Sequence, residues 1–586
     1  MKNFLSSLLA TIVGILIMTI VVVLIFVGII AASTSKETPE VKENSLLIAK
    51  FNSPIIDRSD ENPFSRIMSV NPCMSDAMGL NQILKDLKKA KTDENIKGIV
   101  LQLSSVPAGR AAIEEVRNAL LDFKETGKFI YAYADMMTQR TYYLATAADS
   151  IFMTPEGILQ FTGLSAEVVF YKKAMEKLGI EVQVIRHGSY KSANERFMRE
   201  NLSDENREQI GDYFASVWDR MMAGISESRG IPVEKLNQYA DEVISFDNNN
   251  LVESGMIDGL IYFDEMLSLL KDKMGVDEKD DLSSIRLTRY ADVPVKEKKE
   301  YSRDKIAVIY AMGNVVDGNA GEGSIGSERI AKAIRKARRD KSVKAIVLRV
   351  NSGGGSMIAS DVIHREVKLA AEAKPLVASM GNMAASGGYY IVAPADTIVA
   401  SPSTLTGSIG VYSMIPNTQK LMNEKLGITT DVVKTNRHAD MFTVFNPLDP
   451  AVTALLQKSV DEAYDTFLSI VSDGRDMTKE SVDALGGGRI WSGSDALDNG
   501  LIDMIGGLEK SIEVAAGMAD LENYRVQSLP RLDDPLTMII KELTGDVRLR
   551  IIQKELGNQY KHYKNIQEIK EMQGIQALMP FYMDIH

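Results

Sequence analysis

The chain of 586 residues has a single cysteine, Cys73, five scattered histidines and two tryptophans. One cysteine forms no internal disulfide, and without a Cys/His cluster at zinc spacing neither a disulfide scaffold nor a Cys-based zinc site is available. No metal and no cofactor are expected. Positive charge is also in deficit. The 67 Lys and Arg stand against 79 Asp and Glu, for a net charge of −12 and a pI near 5.2. Phosphate backbones require the opposite balance, so nucleic acid is excluded as an expected partner. Apolar content is not lacking: 45% hydrophobic and 25% charged residues make an ordinary globular composition at a length that fills several domains.

Long uncharged runs are absent with one exception, Leu8 to Ala32, LLATIVGILIMTIVVVLIFVGIIAA. At about 1.5 Å per residue this run reaches roughly 37 Å, enough to cross a hydrocarbon core of about 30 Å with some tilt. It is longer than the apolar stretch of a cleaved leader, and IIAASTSK is a poor cleavage site. The expectation is one N-terminal transmembrane anchor at 8–32. Lys2 and the free amine place a short head, 1–7, in the cytoplasm, and a linker at 33–44 leads to an extracytoplasmic body.

That body is a tandem duplication. IKGIVLQLSS from Ile96 meets VKAIVLRVNS from Val343, and YYLATAADSI from Tyr142 meets YYIVAPADTI from Tyr389, both at an offset of 247. EKLGI recurs at 176–180 and 424–428, and LVESGMID at 251–258 pairs with ALDNGLID at 496–503. The copies occupy 45–272 and 305–520. A charged linker at 273–304 separates them, and a C-terminal tail at 521–586 reads as amphipathic helix. Each copy opens on an apolar strand (46–51, 306–311), followed by a stretch of helical spacing (79–92, 327–339) and a continuous apolar run, GIVLQL or AIVLRV. Such runs suit strands buried on both faces, and their alternation with helices predicts α/β domains with parallel sheets.

Chemistry concentrates in the second copy. Ser386 lies in GNMAASGGYY, where its small neighbours permit close approach of a peptide backbone and a tight strand-to-helix turn. On this segment alone a packing turn of small residues is slightly the better explanation. NSGGGS at 351–356 follows the buried strand and exposes backbone amides suited to an oxyanion or an extended ligand, although a glycine run also serves as a plain turn. It lacks the endings of nucleotide-binding loops. The first copy has Gln139 where the second has Ser386, and SSVPAGR at 104–110 in place of the glycines. Conversely, Lys191 of HGSYKSANERF aligns with Ala439. Each copy lacks what the other holds. His187, four residues before Lys191, is a rival base, but no carboxylate to orient it is evident in the sequence.

The anchor, the duplication, GSYKSANERF, NSGGGS, MGNMAASGGYY at 380–390, SPSTLTGSIGV at 401–411 and GRIWSGSDALDNGLID at 488–503 together resemble the S49 serine peptidases in their long, duplicated signal peptide peptidase form. The resemblance implies two crotonase/ClpP-like α/β domains and a Ser-Lys dyad, with Ser386 as nucleophile, Lys191 as general base and Ser408 holding the lysine. It further implies oxyanion donors at Gly354 and Gly387. Gly353 stands where the family commonly has proline, which implies a more flexible loop. Hydrophobic peptides, signal peptides among them, are the implied substrates, a homotetramer the implied assembly, and the bacterial cytoplasmic membrane with a periplasmic body the implied location. Physically, lysine is a base near neutrality only if its pKa falls from about 10.4 to between about 7 and 8, which burial achieves. A silent membrane scaffold and an acyl-CoA enzyme of the crotonase type are the other classes compatible with these motifs.

Overall fold

The computed structural model describes residues 6, 10–21, 39–59, 77–294, 302–532 and 575–579. Two sheets, one per repeat, carry the fold. In the first repeat Ser45–Lys50 (β1) is followed by Leu80–Thr92 (α1), Ile96–Leu103 (β2), Arg110–Lys124 (α2), Phe129–Thr138 (β3), Gln139–Ala145 (α3) and Ser150–Gln160 (β4). Next come Glu181–Arg186 (β5), which leaves this sheet, the long helix Asp204–Arg229 (α4), and the short strands Gly259–Leu260 (β6) and Ser284–Arg286 (β7). The sheet order is β6-β4-β3-β2-β1-β7, parallel at every pairing.

The second repeat follows the same plan. Lys305–Met312 (β8), Asn314–Val316 (β9), Ser324–Gly326 (β10), Ser327–Arg339 (α5), Val343–Ser352 (β11), Gly354–Ser356 (β12), Met357–Ala371 (α6) and Leu376–Ala385 (β13) lead to Gly387–Val392 (α7). Thr397–Ala400 (β14), Leu405–Gly407 (β15), Tyr412–Asn417 (β16), Pro450–Arg475 (α8), Ile490–Ser492 (β17), Met504–Ile505 (β18), Arg525–Leu529 (β19) and Ile575–Leu578 (β20) complete the described chain. The order β13-β11-β8-β19 reproduces β3-β2-β1-β7, as duplication requires. Both apolar runs, β2 and β11, are buried along nearly their whole length. Leu80, Ile83, Leu84 and Leu87 of α1 and Ile330, Ala333, Ile334 and Ala337 of α5 face the core at the spacing the sequence shows.

Two boundaries differ from expectation. The stretch 273–304, expected as linker, supplies β7 to the first sheet, with Leu287 and Tyr290 buried behind it. The tail 521–586, expected as helical, supplies β19 to the second sheet and β20 to a third; its remainder lies outside the described residues. Strands of three to five residues are too short to show period-two patterning, so the high charge around them dominated the reading. Of the expected anchor 8–32, residues 10–21 are described, as exposed helix. Among the described residues no helix is long and apolar enough to cross a membrane.

A third sheet, β10-β9-β12-β20-β16-β5, combines both repeats and the tail. Its β5 pairs antiparallel with β16, from Arg186 opposite Tyr412 to Glu181 opposite Asn417. This strand pairing carries the first repeat's polypeptide onto the second.

Candidate active site

Adjacent parallel strands β11 and β13 bring the two glycine-rich segments side by side, with Ser352 in register with Ala384. Ser386 follows β13 and precedes α7. Its backbone at φ 55° and ψ −118° is a conformation L-residues rarely adopt, a strain of about 1–3 kcal/mol that the surrounding structure must hold. It does so through Ser386 N, which donates to Gly407 O at 2.8 Å, and through the buried α7, where Tyr389 Oη donates to Leu501 O and Tyr390 Oη to Asp361. Ser386 is 0% exposed.

Beyond β5 the chain turns inward and delivers Lys191, also 0% exposed, to that serine. Lys191 Nζ lies 2.7 Å from Ser386 Oγ, 2.9 Å from Ser408 O and 3.0 Å from Ser408 Oγ. Burial pushes the ammonium well below its ordinary value, and no other cause contributes. Gln209 of α4 braces this arm: its amide donates to Tyr190 O and Ser192 Oγ while its oxygen accepts from Ile490 N.

The arm approaches the second repeat backbone to backbone. A β-carbon at Gly488, whose φ is +93°, would lie 2.5 Å from Lys191 N and 2.6 Å from its Cα. Sequence reasoning did not single out this residue; its signal is the run Gly486–Gly488 ahead of IWS. Gly488→Ala must therefore push Lys191 away from Ser386. We expect kcat/KM for peptide hydrolysis to fall by about 100-fold with little change in KM, the scale for an ångström of misplacement, and an unchanged value would show that the close approach is dispensable.

The expected oxyanion residues also converge. Gly354, at φ +99°, and Gly387 face each other so closely that a β-carbon on Gly354 would lie 2.7 Å from Gly387 N. Gly354 N donates to Ser352 Oγ at 3.1 Å. The glycine run, read as a loop, is strand β12. Between β12 and β16 runs a channel one strand wide, and β20 lies in it, antiparallel to both walls.

The remaining candidates separate from this centre. Gln139 is held by Gly163 O and by the amides of Thr162 and Gly163, so the position equivalent to Ser386 has a structural role in the first repeat. His187 does have a carboxylate partner, Asp461 at 2.8 Å, and stacks on Tyr464, but it is Lys191 that holds Ser386. Among the described residues no group of three His, Cys, Asp or Glu side chains is placed to hold a metal ion.

Comparison with known proteins places this geometry in a family. Peptidase family S49 matches residues 122–277 and 368–522, once in each repeat. The chain belongs to that family. It is an S49 serine peptidase, 35% identical over 478 residues to Protease 4 of Salmonella typhi, covering 80% of this chain and 76% of the relative. It is 34% identical over 552 residues to Protease 4 of Haemophilus influenzae, covering 90% and 88%. Against the chloroplastic serine protease SPPA of Arabidopsis thaliana the identity is 33% over 479 residues, covering 80% and 70%. A solved structure of a ClpP1 mutant from Listeria monocytogenes aligns with 35% of this chain and 94% of its own, at 14% identity and a TM-score of 0.24. The S49 assignment and the repeated strand order carry the reading of a tandem α/β duplication without it.

Proposed function

We propose that this S49 peptidase is a membrane-anchored endopeptidase that hydrolyses extended hydrophobic peptides, signal peptides among them, through a Ser386-Lys191 dyad. The observation that carries the reading is the 2.7 Å contact between Lys191 Nζ and Ser386 Oγ in a fully buried setting. A neutral amine has two N–H groups and one lone pair, and Lys191 has three partners. The two N–H groups donate to Ser408 O and Ser408 Oγ, and the lone pair accepts the Ser386 hydroxyl proton. Ser386 Oγ then attacks the peptide carbonyl, and the amide of Gly387 takes up the oxyanion, joined by that of Gly354 when it exchanges its hydrogen bond to Ser352 Oγ for the substrate oxygen. Lys191 returns the proton to the leaving amine, and water hydrolyses the ester on Ser386.

Substrate recognition follows from the channel between β12 and β16. An extended peptide there gains backbone hydrogen bonds on both edges, a mode largely indifferent to side-chain sequence. The anchor at 8–32 would keep the body at a membrane surface where hydrophobic peptides collect.

Assembly has support in the duplication. β5 docks on β16 within the chain, whereas the equivalent arm of the second repeat, 424–440, is exposed, with Leu426, Ile428, Val432 and Val433 in solvent. The equivalent of β16 in the first repeat, 165–170, is also largely uncovered. A head-to-tail ring, the tetramer the family resemblance implies, would mate these two edges.

The test is hydrolysis of a fluorogenic Ala/Leu-rich peptide by the full chain in detergent, beside Ser386→Ala. Wild type is expected to turn over and Ser386→Ala to fall to background. Absence of turnover by the folded, assembled wild type, or persistence in the variant, would sink the reading.

A further inference from the structure

One residue beside the dyad grips both the arm that carries the base and the group that holds the base. Arg489 directly precedes β17, which pairs antiparallel with β15 through Ile490 opposite Gly407. That pairing brings the Arg489 carbonyl to Ser408 N, which donates to it at 2.6 Å. Ser408 has φ 50°, a left-handed backbone uncommon outside glycine, and from it the carbonyl and hydroxyl oxygens both reach Lys191 Nζ.

The Arg489 side chain holds the lysine's own arm. Its guanidinium carbon lies 4.9 Å from the centre of the Tyr190 ring and 4.7 Å from that of Trp491. Nη1 donates to Tyr190 Oη at 3.1 Å and to Glu208 at 2.9 Å, and Nη2 donates to Asp212 at 2.6 Å. Tyr190 immediately precedes Lys191, and Glu208 and Asp212 flank on α4 the Gln209 that braces the same arm. The two carboxylate side chains are 49% and 56% exposed, so each ion pair alone contributes little. What fixes the group is a planar fork set against two rings and three acceptors, a geometry that a lysine ammonium does not reproduce. The guanidinium charge is spent on these acceptors: burial alone lowers Lys191, with no contribution from Arg489. Its influence on the base therefore runs through position.

We propose that Arg489 is a positioning residue for the Lys191 base: its backbone fixes Ser408, its side chain fixes Tyr190, and the two together set the reach of the lysine. The inference rests on the Ser386-Lys191 reading and adds to it a residue that touches neither substrate nor reacting atoms. Without the clamp the Tyr190–Lys191 arm draws back from Ser408, and water follows the amine. Two effects result. Fewer molecules present the lone pair to Ser386 Oγ, and the resolvated ammonium regains part of its ordinary affinity for the proton.

The pH dependence of kcat and KM for a fluorogenic Ala/Leu-rich peptide, measured on the full chain in detergent for wild type, Ser386→Ala, Arg489→Lys and Asp212→Asn, tests this. Arg489→Lys is expected to lower kcat about tenfold or more with KM changed by less than about twofold. It is also expected to move the midpoint of the rising limb up by about one pH unit. Asp212→Asn, which removes one anchor of the fork from an exposed position on α4, is expected to shift both in the same direction by less. A merely structural residue would lower the amount of active enzyme and leave the midpoint in place. An unmoved midpoint in both variants, or a rise in KM alone, therefore overturns the positioning role and leaves the peptidase reading standing. Should Arg489→Lys not fold, Asp212→Asn alone decides. A wild type without turnover, or one whose turnover survives Ser386→Ala, overturns both.

Discussion

Lys191→Met is expected to lower kcat/KM for peptide hydrolysis by about 10⁴-fold or more, the scale on which removal of a triad base acts. Methionine preserves length and apolar packing, so the loss isolates the amine. The pH profile supplies an independent readout. The protonated ammonium has no lone pair for the Ser386 proton, so wild-type activity should rise with pH through the lowered pKa of Lys191 and level off above it. Stability should show the complementary sign. Between that lowered value and the ordinary 10.5, the unfolded chain binds a proton at this lysine that the folded chain does not. Wild-type stability at this site therefore increases with pH across the window, and the increase is complete above 10.5. Lys191→Met should melt higher than wild type near neutral pH, with the difference shrinking toward alkaline pH. An inactive variant that also melts lower at neutral pH would mean that the amine is structural.

The second large effect concerns the seam between the repeats. Arg349 of β11 is 1% exposed and lies 2.6 Å from both Asp57 and Glu115 of the first repeat. Its remaining donors reach Ser379 Oγ and Met380 O, while Glu115 also accepts from Leu508 N and Asp57 from Asn351 Nδ2. Arg349→Met strands two buried carboxylates. Breaking such a pair costs about 3–5 kcal/mol, so a clear drop in Tm is expected by thermal scanning. Activity should fall as well, because Asn351 opens the glycine segment leading to Gly354 and loses its orientation with Asp57. A triple change of Arg349, Asp57 and Glu115 to apolar residues should recover Tm without recovering full activity. If the single variant melts like wild type, the network contributes nothing to the seam.

Much of this architecture was present in the one-dimensional pattern. Equal offsets between IVLQLSS and IVLRVNS and between the two YY…AD segments establish the duplication. Continuous apolar runs mark strands buried on both faces, because a side chain on either face of a central strand meets other protein. Ser386 stood out because only small residues surround it, and the unequal copies pointed to a division of labour that the family resemblance resolved into Ser386 and Lys191. What the pattern could not hold is decided by pairing between segments far apart. Lys191 and Ser386 are 195 residues apart and meet because β5 abandons its own sheet for β16. Backbone hydrogen bonds form that junction, and they leave no mark on side-chain periodicity. The same holds for Gly488 beneath Lys191, for Arg349, which reads as one charge in an apolar run until its carboxylates arrive from the other repeat, and for IQAL at 575–578. In the sequence that segment continues an amphipathic helical spacing; in the fold two open strand edges offer its backbone partners on both sides at once. The sequence by itself determined the repeats, their sheets and the residues able to do chemistry. Only the tertiary structure decided which of them meet, because long-range backbone pairing and the dry interior it creates depend on the whole chain being folded.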